Sequence, residues 1–321
     1  MRIHYTNQGT LQNFRNFAET LDFSNPQRLI VTMDEKWVNV NPAQLALTAA
    51  LALKVGKENA IIQSQNIPLS ARYLDRMGLY NFFSTPSPFR QYRKKEPAGR
   101  FVPISIIKNG DDQSKFVTDI IPLYHLSEKN SRILSYIVGE LVRNVLEHSF
   151  SEDGAVVAAQ YYKESNRISF AICDTGIGLW KSLQIWHPKT DKEALSLALT
   201  PGVTGTTLEL GGTSENGGAG LFFIKSIVKI SRSYFVIMSG DSEYTLLKTR
   251  PDIKNRLYSD PFKDHYAFSN SISRFNGTLV AVDLKLDSTP EFQKLLDDIG
   301  DIYDSAVKES RRKPARKPKF I

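Results

Sequence analysis

The chain has 321 residues, of which 41% are hydrophobic and 23% are charged, a composition that suits a folded globular protein and excludes a mainly disordered one. Its formal charge of +7 comes from 41 Lys and Arg residues against 34 Asp and Glu residues. The single cysteine, Cys173, excludes an internal disulfide and a cysteine-based zinc site, and it suits a reducing cytoplasm.

The N-terminal part alternates strand-like and helix-like segments. In chain order these are strand 28–33, helix 42–56, strand 60–64 and a helix within 70–83 that is predicted to end near Gly78. Pro42 suits the first turn of its helix. The alternation predicts a small α/β domain over residues 1–95, followed by a linker and a leading strand over 96–126. The basic stretch 90–100 is predicted to be an exposed part of this linker.

The second half predicts a larger domain over 127–289 and a C-terminal helix over 290–307. The predicted elements are a long helix at 127–149, strands at 154–163 and 167–174, a helix at 219–231, and strands at 233–239, 244–249 and 277–286. The most apolar stretch, 45–55, is far shorter than the roughly 18–20 apolar residues of a membrane helix. The N-terminus also lacks the apolar core of a secretory signal. We therefore expect a soluble, cytoplasmic protein without a membrane partner.

The basic excess lies almost entirely in the last fourteen residues, 308–321. They hold seven basic residues and one acidic residue, so the rest of the chain is nearly neutral. Pro314 and Pro318 prevent a regular helix throughout this segment. It is predicted to be a solvated, flexible tail, and the alternative is an electrostatic contact with nucleic acid or an acidic partner.

The segment 131–149 carries the first chemical signal. Its apolar residues recur at about 100° per residue, which predicts an amphipathic helix. Glu140, Asn144 and His148 are spaced i, i+4, i+8, so they share one face that overlaps the flank of the apolar stripe. Polar groups turned inwards must be paired. The pattern indicates either a structural hydrogen-bond network or a Mg²⁺ site, because oxygen ligands suit that cation.

A glycine turn after a strand is the second signal. The apolar strand at 167–174 runs into D-T-G-I-G (174–178). Gly176 and Gly178 allow positive φ and a close approach of the backbone to a ligand, and a tight turn explains the pattern equally well. The Asp174 carboxylate follows a strand that looks buried, so it needs a hydrogen-bond donor. An adenine amino group is one such donor.

A second glycine-rich segment opens an apolar helix and is the third signal. Gly217, Gly218 and Gly220 precede or begin that helix, whose amino end favours an anion such as phosphate. The alternative is a flexible loop with a glycine-capped helix start. The preceding segment 200–212 is rich in Gly and Thr and is predicted to be mobile, as in segments that order over a nucleotide.

Together, the three signals resemble the GHKL superfamily of ATPases and kinases in order and spacing. That superfamily includes gyrase, a heat-shock chaperone, histidine kinases and the mismatch-repair protein MutL. E-L-V-R-N (140–144) is similar to its N box, D-T-G-I-G (174–178) to its first glycine box, and G-G-A-G-L (217–221) to its second. G-T-L-V-A-V (277–282) resembles the late strand whose threonine supports the adenine-binding aspartate. The resemblance covers about residues 120–287, and no Walker-A phosphate loop is present.

The resemblance implies an α/β (α+β) fold with a two-layer sandwich of the Bergerat type, and it implies ATP and Mg²⁺ as cofactors. Glu140 would act as general base, Asn144 would hold Mg²⁺, and Asp174, supported by Thr278, would bind the adenine amino group. The other ATP-binding residues that it implies are His148, Gly176, Gly178, Gly218, Gly220 and Leu221.

Three further features bear on the branch of the superfamily. Glu147 stands where sensor histidine kinases usually carry a basic residue, and E-x-x-x-N-x-x-x-H (140–148) looks more like the anti-sigma serine kinases. The N-terminal unit resembles the STAS-like modules on which those kinases act, through its strand–helix order and Y-L-D-R-M-G-L (73–79). Lys225 stands where the superfamily often has a basic residue, and a solvated helix face is the alternative.

Three functional hypotheses follow. The leading one is a Mg²⁺-dependent ATP-binding protein that hydrolyses ATP and uses lid closure to regulate a partner, either another protein or a second copy of the chain. The second is a protein kinase that acts on serine or threonine of a separate regulator. The third is a non-enzymatic ATP-sensing module whose basic tail contacts nucleic acid.

Overall fold

The chain forms a mixed α/β structure, as the sequence predicts. The computed structural model describes residues 1–89, 101–120, 126–208, 220–250, 252–288 and 292–312. Its strands are β1 (Arg2–Tyr5), β2 (Leu29–Met33), β3 (Ala60–Ile62), β4 (Phe101–Ile107), β5 (Ala155–Tyr162), β6 (Arg167–Asp174), β7 (Tyr234–Gly240), β8 (Ser242–Leu246), β9 (Tyr266–Ser269) and β10 (Phe275–Lys285). Its helices are α1 (Phe14–Glu19), α2 (Pro42–Val55), α3 (Arg72–Arg76), α4 (Gly110–Lys115), α5 (Glu128–His148), α6 (Gly178–Ser182), α7 (Asp191–Ala198), α8 (Gly220–Ile230) and α9 (Phe292–Arg312).

Most long elements match their predicted segments to within about two residues, and the short ones account for the differences. The sequence pattern does not predict β1, α1, α4, α6, α7 or β9, none of which exceeds eight residues. The helix predicted in 70–83 ends near Gly78 as expected, because Gly78 takes a left-handed φ of 81°. Its α-helical part is only the short α3, and 3₁₀ turns lie on both sides of it. Helix α9 extends to Arg312, five residues into the predicted tail. The rest of the tail and the basic stretch 90–100 lie outside the described residues.

A seven-stranded antiparallel sheet forms the centre of the described structure. Its strand order is β4-β5-β6-β10-β7-β8-β9. Strand β6 is paired on both sides, with β5 and with β10, and Thr278 of β10 lies opposite Asp174 of β6. The carboxyl end of β6 therefore lies beside the beginning of β10, which brings two of the predicted motifs together.

Helices α5 and α8 cover one face of this sheet, and α9 packs against both helices. The apolar stripe predicted for α5 is confirmed, because all seven of its residues are buried in that layer: Ile133, Leu134, Ile137, Val138, Leu141, Val142 and Val145. Since side chains alternate along a strand, Phe170 and Ile172 of β6 face this layer. Asp174 keeps the same alternation, and it points to the same side as the helices.

Helix α2 covers the opposite face of the sheet. Its start has the predicted proline in the first turn, and Asn41 and Gln44 form a reciprocal capping box. It packs against β5 and β6, where the sheet presents the small side chains Ala158, Ala171 and Cys173. Small residues on both surfaces allow a close approach of helix and sheet.

The N-terminal part also contains a small parallel sheet in the order β1-β2-β3. Its core residues belong to the same hydrophobic cluster as the α2-facing side of the large sheet, and they include Ile3, Leu29 and Val31. The second face of the large sheet is therefore covered by residues 1–89. The predicted arrangement of one sheet and one helical layer is therefore incomplete, because a further layer covers the face of the sheet opposite α5.

Candidate functional site

A cavity lies between α5, the carboxyl end of β6 and the amino end of α8. It contains eight of the predicted site residues, which come from four separate stretches of the chain: Glu140, Asn144, His148, Asp174, Gly178, Gly220, Leu221 and Thr278. Apolar side chains complete much of the wall, among them Ile172, Leu179, Leu183, Val203 and Val280. A concave, partly apolar pocket with a few convergent polar groups is the usual form of a small-molecule site.

One predicted glycine, Gly176, is not among the residues that line the cavity, and a second, Gly218, lies outside the described residues. A Cβ atom at Gly176 would come within 1.9 Å of the Ser149 carbonyl oxygen. Only glycine fits there, so its role is to shape the turn after β6. Of the segment 200–212 that is predicted to be mobile, Val203, Thr204 and Gly205 line the cavity, and residues 209–212 lie outside the described residues.

Asp174 is the buried carboxylate of the cavity, with 2% of its surface exposed. The Gly176 backbone N–H donates to Oδ1 at 2.8 Å, and the Thr278 backbone N–H also donates to the carboxylate. Burial raises the Asp174 pKa to about 6, although both hydrogen bonds and the charge of Lys54 act in the opposite direction. The carboxylate therefore has donors on the protein side and further acceptor capacity towards the cavity.

Glu140 and Arg143 form an ion pair at the other end of the cavity. Arg143 Nη2 donates to Glu140 Oε2 at 2.5 Å, and both side chains line the cavity. Burial raises the Glu140 pKa, and the neighbouring guanidinium opposes that rise. Burial also lowers the pKa of His148, which favours the neutral imidazole at pH 7.

The amino end of α8 approaches this polar group closely. A Cβ atom at Gly220 would lie 2.7 Å from Glu140 Oε2 and 3.6 Å from Asn144 Nδ2. Glycine at this position lets the helix backbone come next to both side chains. Helix amino ends carry a partial positive charge, so this part of the cavity suits an anion.

Sequence reasoning missed the residues that shape the first glycine turn from outside it. Ser239 Oγ accepts a hydrogen bond from the Leu179 backbone N–H at 3.0 Å and donates to the Gly277 carbonyl oxygen at 2.7 Å. Gly277 has a φ of 136°, and a Cβ atom there would come within 2.1 Å of the Asp174 carbonyl oxygen. Gly277 lies in the G-T-L-V-A-V stretch, but no local pattern connects it with Ser239.

Lys54 is a second missed residue, and it comes from the opposite side of the sheet. Its Nζ donates to the Thr175 carbonyl oxygen at 3.1 Å, directly after Asp174. Lys54 occupies the last turn of α2, so the N-terminal part contacts the turn that shapes the cavity. No motif in the sequence indicates this contact.

The environment of Lys225 excludes one of the two interpretations given for it above. Its side chain is 1% exposed, and Nζ donates to Asp264 Oδ2 at 2.8 Å and to the Tyr258 carbonyl oxygen. Lys229 pairs with the same carboxylate. The alternative of a solvated helix face at Lys225 is therefore wrong, because the side chain is buried. A buried charge must be paired, and this ion pair connects α8 to the segment around Asp264.

The described residues offer oxygen and nitrogen ligands in the cavity but no ready cluster for a metal. No group of three or more His, Cys, Asp or Glu side chains could hold an ion within the part of the chain that the structure describes.

Among the described residues, no helix has both the length and the apolar character needed to cross a membrane. The chain matches no protein-family model and no curated protein.

Proposed function

We propose that this protein is a Mg²⁺-dependent ATP-binding protein of the histidine-kinase-like ATPase superfamily, that it hydrolyses ATP, and that its nucleotide cycle regulates a partner protein. The observation that carries the proposal is the meeting of the four motif-bearing stretches at one cavity. These stretches are more than 25 residues apart along the chain, from Asn144 to Asp174 to Gly220 to Thr278. Their convergence favours a shared ligand over four independent turns and caps.

The Asp174 end of the cavity would receive the adenine. The backbone donors from Gly176 and Thr278 fix the carboxylate, and an exocyclic amino group supplies the donor that its remaining acceptor capacity requires. Apolar side chains such as Ile172 and Val280 flank it, and they suit the faces of a planar base.

The Asn144 end would receive the phosphates. The amino end of α8 begins at Gly220, beside Asn144 and Glu140, and it favours negative charge. Asn144 would hold Mg²⁺, because the ion uses few protein oxygens and takes its other ligands from phosphates and water. Bound there, the ion would neutralise phosphate charge.

Glu140 would act as the general base. Its carboxylate would take a proton from a water molecule while the water oxygen bonds to the terminal phosphorus. The bond from that phosphorus to the bridging oxygen then breaks, and ADP leaves with the electron pair. A pKa raised by burial makes a carboxylate a better base near neutral pH.

The test compares Glu140→Gln with Glu128→Gln. Glu128 begins the same helix, its side chain is 80% exposed, and it is not among the residues that line the cavity. We expect E140Q to lower phosphate release from ATP by at least about 100-fold while ATP still binds, and E128Q to keep wild-type turnover. Wild-type turnover in E140Q would reject the general-base role, and a wild-type protein without ATP affinity would reject the whole proposal.

A further inference from the structure

The Arg143–Glu140 pair has a feature that general-base chemistry does not explain. Arg143 lies three residues after Glu140 on α5, and its guanidinium donates to the carboxylate at 2.5 Å. The Arg143 side chain is 43% exposed, and that of Glu140 is 16% exposed. A general base acts on water, and a cation bound to it lowers its basicity. The structure therefore holds the proposed base in its less basic arrangement.

The same carboxylate also faces the amino end of α8. Glu140 Oε2 would be 2.7 Å from a Cβ atom at Gly220, where α8 begins. Its negative charge thus lies between a guanidinium and the positive end of an eleven-residue helix. Two positive centres close to one position favour an anion there.

A polyphosphate is a stronger occupant of that position than one carboxylate. It carries more charge and more acceptor oxygens, and the planar guanidinium matches phosphate oxygens in a two-point geometry. Arg143 is partly exposed and lines the cavity, so its guanidinium can reach a ligand in the cavity by a change of side-chain conformation alone.

We propose that Arg143 binds the phosphate chain of the nucleotide, and that Glu140 holds its guanidinium in place until the phosphates arrive. This inference rests on the proposed function of the cavity. When the guanidinium moves to phosphate, Glu140 loses its bound cation and becomes free to accept a proton from water. Glu140 can therefore act as a general base only when phosphate has taken its place as the partner of Arg143.

The experiment measures the affinity of a non-hydrolysable ATP analogue with Mg²⁺, and that of adenosine, by calorimetry on the full chain. The variants are Arg143→Gln and Arg143→Lys. The matched control is Arg132→Gln, which removes an i,i+4 ion pair with Glu128 on the same helix outside the cavity. We expect R143Q to weaken the ATP analogue by roughly 10- to 100-fold and adenosine by less than about twofold.

The other outcomes separate the two proposals. R143K should recover part of the analogue's affinity, because it keeps the charge without the fork, and R132Q should match wild type for both ligands. An R143Q protein that binds the analogue like wild type, or that loses both ligands equally, overturns the role of Arg143; if R143Q does not fold, wild-type affinity in R143K does the same. A wild-type protein that binds neither ligand overturns the function proposed for the cavity itself.

Discussion

Asp174 carries an electrostatic cost that depends on pH. Burial raises its pKa from an ordinary 3.8 to about 6, so the folded state binds a proton more tightly than the unfolded state. For a raised carboxyl pKa, stability is highest below the unfolded value and falls as pH rises towards the folded value. The buried Asp174 charge therefore lowers the free energy of unfolding by its full amount above about pH 6, and this destabilisation is absent below about pH 4.

The variant Asp174→Asn removes that penalty. At pH 8 we expect its free energy of unfolding to exceed that of wild type by about 1–3 kcal/mol, and at pH 4 the difference should disappear. Its affinity for ATP should nevertheless fall at least about tenfold, because the amide places a donor where adenine also has one. Urea denaturation at both pH values and calorimetry measure the two effects.

Asp301→Asn is the control, because Asp301 is an exposed carboxylate on α9 and its replacement should change neither quantity. A stability gain in D174N that persists at pH 4 would mean that the gain does not come from a buried charge. Unchanged ATP affinity would remove Asp174 from adenine recognition. Stability and binding are thus expected to move in opposite directions at one residue.

The positions of the site residues follow from the sequence only where a local period fixes them. The 3.6-residue period of α5 puts Glu140, Asn144 and His148 on one face, and all three line the cavity. The link from Leu179 through Ser239 to Gly277 depends on β7 lying next to β10. Strand order is a non-local property, and no spacing along the chain contains it.

At the scale of whole elements, α2 connects the two sides of the molecule. The sequence predicts the helix, and its mostly apolar composition is explained by burial: eleven of its fourteen residues are buried. Such a helix is covered on all sides. Its period could not indicate which sheet covers it, because a helix that is apolar on most sides has no distinct face.

The last turn of α2 gives a test of communication across the sheet. Lys54 donates to the Thr175 carbonyl oxygen and lowers the pKa of Asp174 by its charge. In Lys54→Met, we expect ATP affinity to fall by about 2- to 10-fold at pH 7, because the turn after β6 loses a hydrogen bond and more of Asp174 is protonated. Titration with ATP and Mg²⁺ measures the loss.

Lys57→Met is the matched control, since Lys57 is exposed and follows the end of α2. It should bind ATP like wild type. If K54M also binds like wild type, the contact between α2 and the β6 turn has no influence on the cavity. If both variants lose affinity equally, the effect comes from the general positive charge of that surface.

At the scale of the whole molecule, the sequence predicts a small N-terminal domain beside a larger one, and the structure gives the two a common core. The buried residues of β1 and β2 belong to one cluster with Ala171, Cys173 and Leu279 of the large sheet. A composition shift or a basic stretch such as 90–100 is a local sign of a boundary. It carries no information about whether the flanking parts bury surface against each other.

A shared core should make unfolding cooperative across the predicted boundary. We expect amides of β2 and β6 to exchange hydrogen through openings of equal free energy, because neither sheet keeps its buried face without the other. ATP with Mg²⁺ should then slow exchange in both strands by the same factor, since a ligand that binds only the folded state stabilises every region that opens with it. Hydrogen exchange by mass spectrometry, with and without nucleotide, measures both. Faster exchange in β2 that nucleotide does not slow would mean that residues 1–89 open by themselves, and the contact of Lys54 with Thr175 would then be too weak to couple them to the cavity.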